Sequence, residues 1–419
     1  MPKQLAKGVW LNVIPTTQFK TISMTVDFIA PGNVQELSNR ILLAQLLETS
    51  SAQYPTQTSL AQKLSMMYGA SYGVNVFRYG LQEGLRFSST IINDHFIGGE
   101  SLLAEMVAFL HSVIYQPLIK NDAFEPVTFT RQKQNLMAYL KSLNDDKQYY
   151  AEQQLSQLYF KNEPFFATSL YGDAQTINAI SAKSLYVIYQ KLLATNQIQI
   201  TVAGDVSETN LVSALEDWQL ADRQIADSEL IYRRPQAEMV SKTEGQPLQQ
   251  SKLNMAYKLP VYYRETDFYK ALVFNGLFGG TPISMLFKNV REKNSLAYYA
   301  SSRFDGFTGT LLVQTGIDQS NESAVKAIIA EQLDAIANGQ FSDEVFDQVV
   351  ASLINGRESR LDSQRALVNQ AMLDQLLHST VSAADWVKQI KRVTREDVAK
   401  MAKQVHLQAV YFLKGEDAK

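Results

Sequence analysis

Arg291 and Tyr298 are the residues of this sequence whose types and spacing best suit chemistry. They bracket the run Arg-Glu-Lys-Asn-Ser-Leu-Ala-Tyr. A guanidinium group offers a fork of N–H donors and a phenol offers one O–H donor, so each can donate a hydrogen bond to a carbonyl oxygen. The pattern predicts that Arg291 ends a helix and that Tyr298 begins the adjoining strand, which lets the two side chains converge.

Two short helices and a hairpin would position this pair. Apolar residues at helical spacing follow Asp267, and Gly279-Gly280 ends that first helix. Thr281-Pro282 supplies an N-cap and then a proline at the first position of a second helix. The alternation of apolar and polar residues predicts strands over 296–304 and 310–315, joined by a turn.

The composition describes a globular protein and excludes several classes of function. The chain has 419 residues, of which 46% are hydrophobic and 19% are charged, and this length predicts two or three domains. The net charge of −3 gives no reason to expect nucleic acid as a partner. The sequence contains no cysteine, so disulfides, thiolate metal ligands and cysteine nucleophiles are excluded.

The pattern of apolar residues gives no reason to expect a membrane partner. No signal peptide is apparent at the start of the sequence. No apolar run reaches the roughly eighteen residues that a membrane span needs. We therefore expect a cytoplasmic protein.

The order of the predicted elements repeats once along the chain. Each half reads as a strand, two helices, two strands, a cluster of helices, a further helix and a closing strand. Local sequence similarities support the repeat, because residues 69–72 match 296–299 and residues 180–183 match 393–396. A shared order over this many elements indicates an internal duplication.

The repeat predicts the domain organisation. We predict two homologous α+β domains, at residues 1–219 and 251–419, each an antiparallel sheet packed with helices. The strands are sequence neighbours in hairpins, which favours antiparallel pairing over a doubly wound parallel sheet. The polar stretch 220–250 between the halves is predicted to be a linker.

The duplicated unit, with Gly-Gly before a helix and then Arg-Glu-Lys-x-x-Leu-Ala-Tyr, resembles the pitrilysin/insulinase family of zinc peptidases. The resemblance covers essentially the whole chain, and its most specific parts are residues 278–298, Tyr54-Pro55-Thr56 and Gly204-Asp205. It implies a two-domain roll. It also implies that two such chains close around an extended peptide.

Active members of that family carry an inverted zinc motif, His-x-x-Glu-His, and a further glutamate ligand downstream. Aligning this sequence with the family places the motif over Ile41 to Gln45. Ile41 and Gln45 replace the two histidines, and Ala44 replaces the glutamate that acts as general base. The downstream glutamate falls at Tyr139. Of the four histidines, none has another histidine three or four residues away, so we predict no bound metal, no cofactor and no catalysis by this chain alone.

The resemblance also implies roles for residues of the second domain. In the family, an arginine and a tyrosine seven residues apart hold the peptide backbone and its developing oxyanion, and Arg291 and Tyr298 match them. Gly279 and Gly280 match a glycine loop beside the peptide. Structural interpretations stay open, since arginine favours a helix C-terminus, tyrosine packs in strands and glycine ends helices.

The internal repeat offers a comparison for the pair. The sequence match places Leu64 opposite Arg291 and Ser71 opposite Tyr298. Because the first half carries neither residue type there, the fold itself does not require them. Tyr299, which matches Tyr72, is instead predicted to pack.

These observations lead to one functional hypothesis and two rivals. The hypothesis is a non-catalytic subunit that holds an extended peptide and completes the site of a zinc-bearing homologue, as a heterodimer, with a homodimer as the other possible assembly. The first rival is an inactive structural or peptide-binding homologue without a proteolytic partner. The second is a metallopeptidase with atypical ligands.

Overall fold

The computed structural model describes residues 2–98, 101–218, 220–225, 228–293 and 296–416, which form two compact units. The first unit comprises Met1–Ser142, Ser169–Glu229 and Arg360–Thr380. The second unit comprises Leu143–Thr168, Leu230–Ser359 and Val381–Lys419. Neither unit is continuous in sequence, because each includes one helical segment from the opposite half of the chain.

The helices and strands of the described residues follow in chain order. Those of the first half are β1 Lys3–Ala6, β2 Val9–Pro15, β3 Thr21–Pro31, α1 Val34–Thr49, α2 Gln57–Met66, β4 Ser71–Tyr79, β5 Gln82–Ile92, α3 Leu102–Tyr115, α4 Pro126–Leu143, α5 Lys147–Tyr159, α6 Pro164–Ala167, α7 Ala174–Ala179, α8 Ala182–Thr195, β6 Gln197–Gly204 and α9 Glu208–Ala214. Those of the second half are β7 Val240–Pro247, β8 Ser251–Lys258, α10 Phe268–Asn275, β9 Ala297–Asp305, β10 Thr310–Ile317, α11 Glu322–Ala337, α12 Asp343–Ser359, α13 Gln364–Leu376, α14 Ala383–Arg392, α15 Arg395–Ala402 and β11 His406–Glu416.

Each unit is built on one sheet, and the two sheets share one strand order. The first sheet runs β1-β2-β6-β3-β5-β4 and the second runs β7-β11-β8-β10-β9. Apart from the added edge strand β1, each strand of the first sheet has its counterpart in the second. The predicted α+β class and internal duplication are therefore confirmed.

The prediction that both sheets are purely antiparallel is wrong in one pairing of each. β2 pairs with β6 in parallel, and β7 pairs with β11 in parallel. In both cases the strand that opens a repeat pairs with the strand that closes it, so the connection crosses the whole domain and permits a parallel pair. The remaining pairs are antiparallel, as the hairpin order predicted.

The stretch 220–250 is not linker throughout, because it contains β7. The side chains of β7 are mostly exposed, so this edge strand lacks the apolar alternation by which a half-buried strand is detected in sequence. The predicted boundary at residue 251 falls at the start of β8. The repeat itself begins one strand earlier.

The helices α5 and α13 occupy equivalent places in the two repeats, and each belongs to the unit built on the other repeat's sheet. α5 packs on β8 and β11 in the second unit, and α13 packs on β2, β3 and β6 in the first unit. This exchange means that the compact units differ from the predicted ranges 1–219 and 251–419.

N-terminal caps explain where several helices begin, and two of them repeat. Thr56 and Ser59 form a reciprocal capping box at the start of α2. Ser181 caps α8 and Thr394 caps α15 in the same reciprocal way. Those last two residues lie in the stretches 180–183 and 393–396, whose similarity indicated the duplication.

Candidate functional site

Two π-helical segments surround the predicted site in the second unit. The first, Gly276–Gly280, continues α10, and the second, Phe287–Lys293, leads towards β9. Sequence patterning predicted a helix C-cap at the first segment and a regular helix before Arg291. The backbone here is therefore wider than the predicted regular helices. Such π turns are uncommon in proteins and occur often at functional sites.

Gly279 and Gly280 lie where the chain passes very close to its neighbours. A Cβ atom on Gly279 would lie 2.7 Å from the backbone nitrogen of Ser302, and one on Gly280 would lie 2.9 Å from the carbonyl oxygen of Asn275. The helical run ends at Gly280, as predicted, but neither glycine has a positive φ, so neither forms a left-handed cap. Close packing accounts for both glycines, and their contact with a substrate stays a prediction.

Arg291 lies near the end of the second π-helical segment with an exposed side chain. Its guanidinium carbon lies 4.7 Å from the centre of the Phe287 ring, one turn earlier. The preceding residue, Val290, is fully buried and anchors this turn in the core. The segment thus anchors the backbone beside Arg291 in the core, while the Arg291 side chain is exposed.

Tyr298 lies at the second position of β9, the edge strand of the second sheet. Its neighbour Ala297 is buried, whereas 72% of Tyr298 is exposed. Tyr299 is half-buried, and its hydroxyl donates a hydrogen bond to Gln148 on α5. Packing of Tyr299 is therefore confirmed, and Tyr298 is left with an exposed phenol.

A backbone hydrogen bond links the two ends of this stretch. The N–H of Leu296 donates to the carbonyl oxygen of Val290 at 3.1 Å. Arg291 directly follows the acceptor, and Tyr298 lies two residues after the donor. Both exposed residues therefore lie beside one backbone closure, and the convergence of their side chains stays a prediction.

The first unit has a similar closure. The N–H groups of Gly69 and Ala70 donate to the carbonyl oxygen of Leu64 at 3.1 and 3.0 Å. β4 pairs with β5 in continuous register, whereas the register of β9 against β10 shifts between Ala297 and Tyr299. Tyr298 is therefore the extra residue of a β-bulge, and its match with Ser71 stays a prediction.

Tyr72 lies at the second position of β4, as Tyr298 does in β9. The two tyrosines differ in environment, because Tyr72 donates to the carbonyl oxygen of Leu47 at 2.9 Å and burial raises its pKa. Tyr72 has a packing role, and Tyr298 has no equivalent burial.

The positions of the degenerate zinc motif lie in the first unit. Ile41 and Ala44 are buried in its core, with 7% and 2% exposed. Tyr139, at the predicted position of the downstream ligand, is 41% exposed and contacts Tyr171 edge-to-face. Within the residues that the structure describes, no three His, Cys, Asp or Glu side chains are grouped so that they could hold a metal ion.

Gln45, the remaining position of the motif, lines a cleft that the sequence did not predict. The cleft has a volume of about 490 Å³ and lies between α1, α2 and α4. Glu48 lines it from α1, and Gln132 and Asn135 line it from α4. A signal existed in the sequence, since Gln45 and Glu48 are three residues apart within the otherwise apolar stretch 41–48 of α1, and Gln132 and Asn135 have the same spacing.

The titration properties of the cleft follow from burial. Desolvation raises the pKa of Glu48, although a hydrogen bond from the Val74 backbone opposes the shift. Desolvation also raises the pKa of Tyr72, and the neighbouring charge of Glu48 adds to that effect. Of the described residues that line the cleft, none is lysine or arginine, so the carboxylate of Glu48 dominates its electrostatic character.

Comparison with known proteins agrees with this fold. The family model described as peptidase M16 inactive domain matches residues 179–353. The chain is 30% identical over 412 residues, 98% of its own length and 96% of the relative's, to the probable inactive metalloprotease YmfF of Bacillus subtilis. A conserved protein from Enterococcus faecalis V583 has a similar structure, with a TM-score of 0.95, 39% identity and coverage of 100% and 99% of the two chains.

The fold is also similar to that of a peptidase M16 inactive domain from Pseudomonas fluorescens. That structure has a TM-score of 0.81 at 16% identity and covers 100% of this chain and 99% of its own, so it supports the fold alone. The chain belongs to the peptidase M16 family, the pitrilysin/insulinase family whose motifs it resembles. It is a non-catalytic member, consistent with its similarity to inactive M16 proteins. Within the described residues, no helix is both long and apolar enough to cross a membrane.

Proposed function

We propose that this chain is a non-catalytic subunit that holds an extended peptide and completes the site of a zinc-bearing M16 homologue. The observation that carries the proposal is the exposure of Arg291 and Tyr298 beside one backbone closure. These two donors persist in a chain whose motif positions are occupied by Ile41, Ala44 and Gln45. The residues that hold a peptide are thus present without those that bind zinc.

The chemistry of the pair suits a peptide backbone. An arginine fork and a phenol both donate hydrogen bonds, and neither can accept a proton at neutral pH, so they bind carbonyl oxygens without performing acid–base catalysis. Donors of this kind are most effective where negative charge develops on an oxygen during the reaction. Arg291 and Tyr298 would therefore stabilise a reaction whose water and metal another chain supplies.

The strand that bears Tyr298 provides a second means of binding. β9 is the last strand of its sheet, and an edge strand can pair with an extended peptide through main-chain hydrogen bonds. Such pairing needs little side-chain specificity. An extended peptide of varied sequence is therefore the substrate class that this geometry favours.

The partner in this proposal is a homologue with an intact His-x-x-Glu-His motif, which forms a heterodimer with this chain; a homodimer without zinc would be non-catalytic. We include a cytoplasmic location in the proposal, because a cysteine-free chain needs no oxidising compartment for its fold. Neither nucleic acid nor a membrane is part of it.

Co-expression with such a homologue, followed by a peptide-cleavage assay, tests the proposal. We expect Arg291→Ala to reduce kcat by roughly a hundredfold, the effect of removing one oxyanion donor in other enzymes. We expect Tyr298→Phe to act in the same direction. Ser65→Ala, at an exposed position of α2 in the first unit, and Tyr68→Phe, at another exposed tyrosine, serve as controls and should leave cleavage unchanged.

The outcome that refutes the proposal is full activity of the complex with both Arg291→Ala and Tyr298→Phe. Failure of the chain to associate with any zinc-bearing homologue, together with no affinity for peptides, would instead favour the structural role. Size-exclusion chromatography of the co-expressed pair, measured before the assay, separates these two results.

A further inference from the structure

We propose that the cleft formed by Gln45, Glu48 and Gln132 in the first unit binds the cationic end of a lysine or arginine side chain. The site lies on α1 and α4, at the surface of the unit, and has room for such a group at about 490 Å³. It is separate in sequence from Arg291 and Tyr298. Gln45 occupies a degenerate zinc-motif position, but no family role described above is assigned to Glu48 or Gln132.

The first step is the charge of the cleft. Glu48 brings a carboxylate, and no cation lines the cleft among the described residues. The nearby lysine of α2, Lys63, is already paired with Glu105. A carboxylate that is partly desolvated and has no cationic partner attracts an ammonium or guanidinium group more strongly than a fully hydrated one.

The second step is the set of neutral groups around the carboxylate. Gln132 is a buried polar side chain, with 5% exposed, and its Oε1 accepts only a long hydrogen bond of 3.4 Å from the Nδ2 of Asn135. Gln45 lines the same cleft from α1. Amide oxygens can accept the remaining N–H donors of an ammonium or guanidinium group, which a single carboxylate cannot satisfy.

The third step is the apolar wall. Leu60 and Leu64 of α2 line the cleft beside the polar groups. Long basic side chains bury their methylene stems against such surfaces while the charged end meets a polar group. A metal ion fits less well, because amide groups predominate and only one carboxylate is present.

The carrier of this basic group is a peptide, which is the one part of the inference that rests on the proposed function. The binding site itself can be tested without that assumption. The probe is Nα-acetyl-lysine N-methylamide, added to the full-length chain labelled at its leucine methyl groups. The resonances of Leu60 and Leu64 then report on the cleft directly.

We expect saturable shifts of both leucine resonances with the lysine probe and with its arginine analogue. The norleucine analogue, which keeps the stem and lacks the charge, should produce no saturable shift. Glu48→Gln should weaken lysine binding at least about tenfold, as expected for the loss of a hydrogen bond to a charged group. Glu36→Gln, on the same helix but outside the cleft, should bind as the unmodified chain does.

Equal shifts with lysine and norleucine, or unchanged lysine binding by Glu48→Gln, would overturn the inference. Arg291→Ala must leave binding of the single-residue probe intact. Failure of the proposed function would appear as unaltered peptide cleavage by a complex that carries Arg291→Ala. Failure of the cleft inference would appear in the binding of the probe, so the two failures are distinguishable. Because Glu48 is exposed at the cleft mouth, its glutamine variant is expected to fold, and circular dichroism verifies this.

Discussion

Tyr298 and Tyr299 are neighbours on β9 and have opposite environments. Tyr298 is 72% exposed, whereas Tyr299 reaches Gln148 on α5 and covers Gly316 of β10. Burial accordingly raises the pKa of Tyr299. The register of β9 against β10 shifts between Ala297 and Tyr299, which makes Tyr298 the extra residue of a β-bulge. One tyrosine thus packs within the unit, and the side chain of the other is exposed.

The first prediction separates these two roles. Tyr299→Ala should lower the free energy of unfolding of the second unit by about 2 kcal/mol, because it removes a half-buried ring and one hydrogen bond. Tyr298→Ala should change it by less than about 0.5 kcal/mol, as is usual for an exposed site. Thermal denaturation of the two variants side by side provides the measurement, and Tyr298→Ala is the matched control for Tyr299→Ala. A large loss of stability in Tyr298→Ala would show that Tyr298 is a packing residue.

The second prediction concerns the close approach at Gly279. Gly279→Ala should lower the free energy of unfolding by about 2 kcal/mol, because the added Cβ would overlap the backbone of Ser302, which cannot move independently of its strand. Gly356→Ala is the control in the same unit. It lies in α12 with nothing within 4 Å of its Cβ position, so alanine should stabilise that helix by about 0.5–1 kcal/mol. Chemical denaturation should move the two midpoints in opposite directions, and equal midpoints would contradict the packing argument.

The third prediction concerns a buried ion pair in the first unit. Asp27 is fully buried and accepts from the Nε and Nη2 of Arg86 at 2.5 and 2.7 Å. Burial raises the pKa of Asp27 and the neighbouring Arg86 opposes that shift. Asp27→Asn should cost about 3–5 kcal/mol of stability, because it leaves the guanidinium buried without its counter-charge.

The control for this buried ion pair is a solvent-exposed ion pair. Glu208 pairs with Lys3 at 3.3 Å, and both side chains are about half exposed, at 50% and 47%. Glu208→Gln should cost no more than about 1 kcal/mol. If Asp27→Asn and Glu208→Gln proved equally mild in thermal denaturation, the buried pair would not anchor β3 to β5 as its geometry indicates.

Much of the fold was predictable because its signals are local. The order of the helices and of the hairpin strands along the chain followed from local patterns, and Ser181 and Thr394 marked equivalent helix starts in both repeats. The exchange of α5 and α13 was not predictable, since both sheets offer apolar faces of similar composition to an amphipathic helix. The strand β7 escaped detection because its side chains are mostly exposed.

The residue types of the candidate site could be read from the sequence, whereas the local backbone around them could not. Alternation identifies a strand but does not reveal a bulge, so the register shift of β9 at Tyr298 was not predicted. Hydrogen bonding to Leu47 decides that Tyr72 is buried, and such a contact between distant residues leaves no local mark in the sequence. The cleft at Glu48 depends in the same way on the packing of three helices.

The last prediction is a pH dependence of the second unit. Glu244 of β7 accepts hydrogen bonds from Tyr150 at 2.7 Å, Gln246 at 2.8 Å and Tyr411 at 2.9 Å. Burial alone would raise its pKa, but these donors outweigh burial and lower the pKa of Glu244 to about 2. In the unfolded chain a glutamate titrates near about 4.3. The ionised form is therefore favoured by folding, and its stabilisation is complete above about pH 4.3 and is lost as the pH falls towards 2.

Glu244→Gln should remove this part of the acid dependence. Because 24% of the Glu244 side chain is exposed, solvent screening reduces the stabilisation to about 1–2 kcal/mol. Thermal midpoints measured between pH 2 and pH 6 should therefore fall more steeply for the unmodified chain than for Glu244→Gln. Glu396→Gln, at a side chain that is 76% exposed in the same unit, should keep the unmodified slope. Tyr150→Phe removes one of the donors while the carboxylate remains, so its slope should lie between those of the unmodified chain and Glu244→Gln. A slope that Glu244→Gln leaves unchanged would assign the acid sensitivity to other carboxylates.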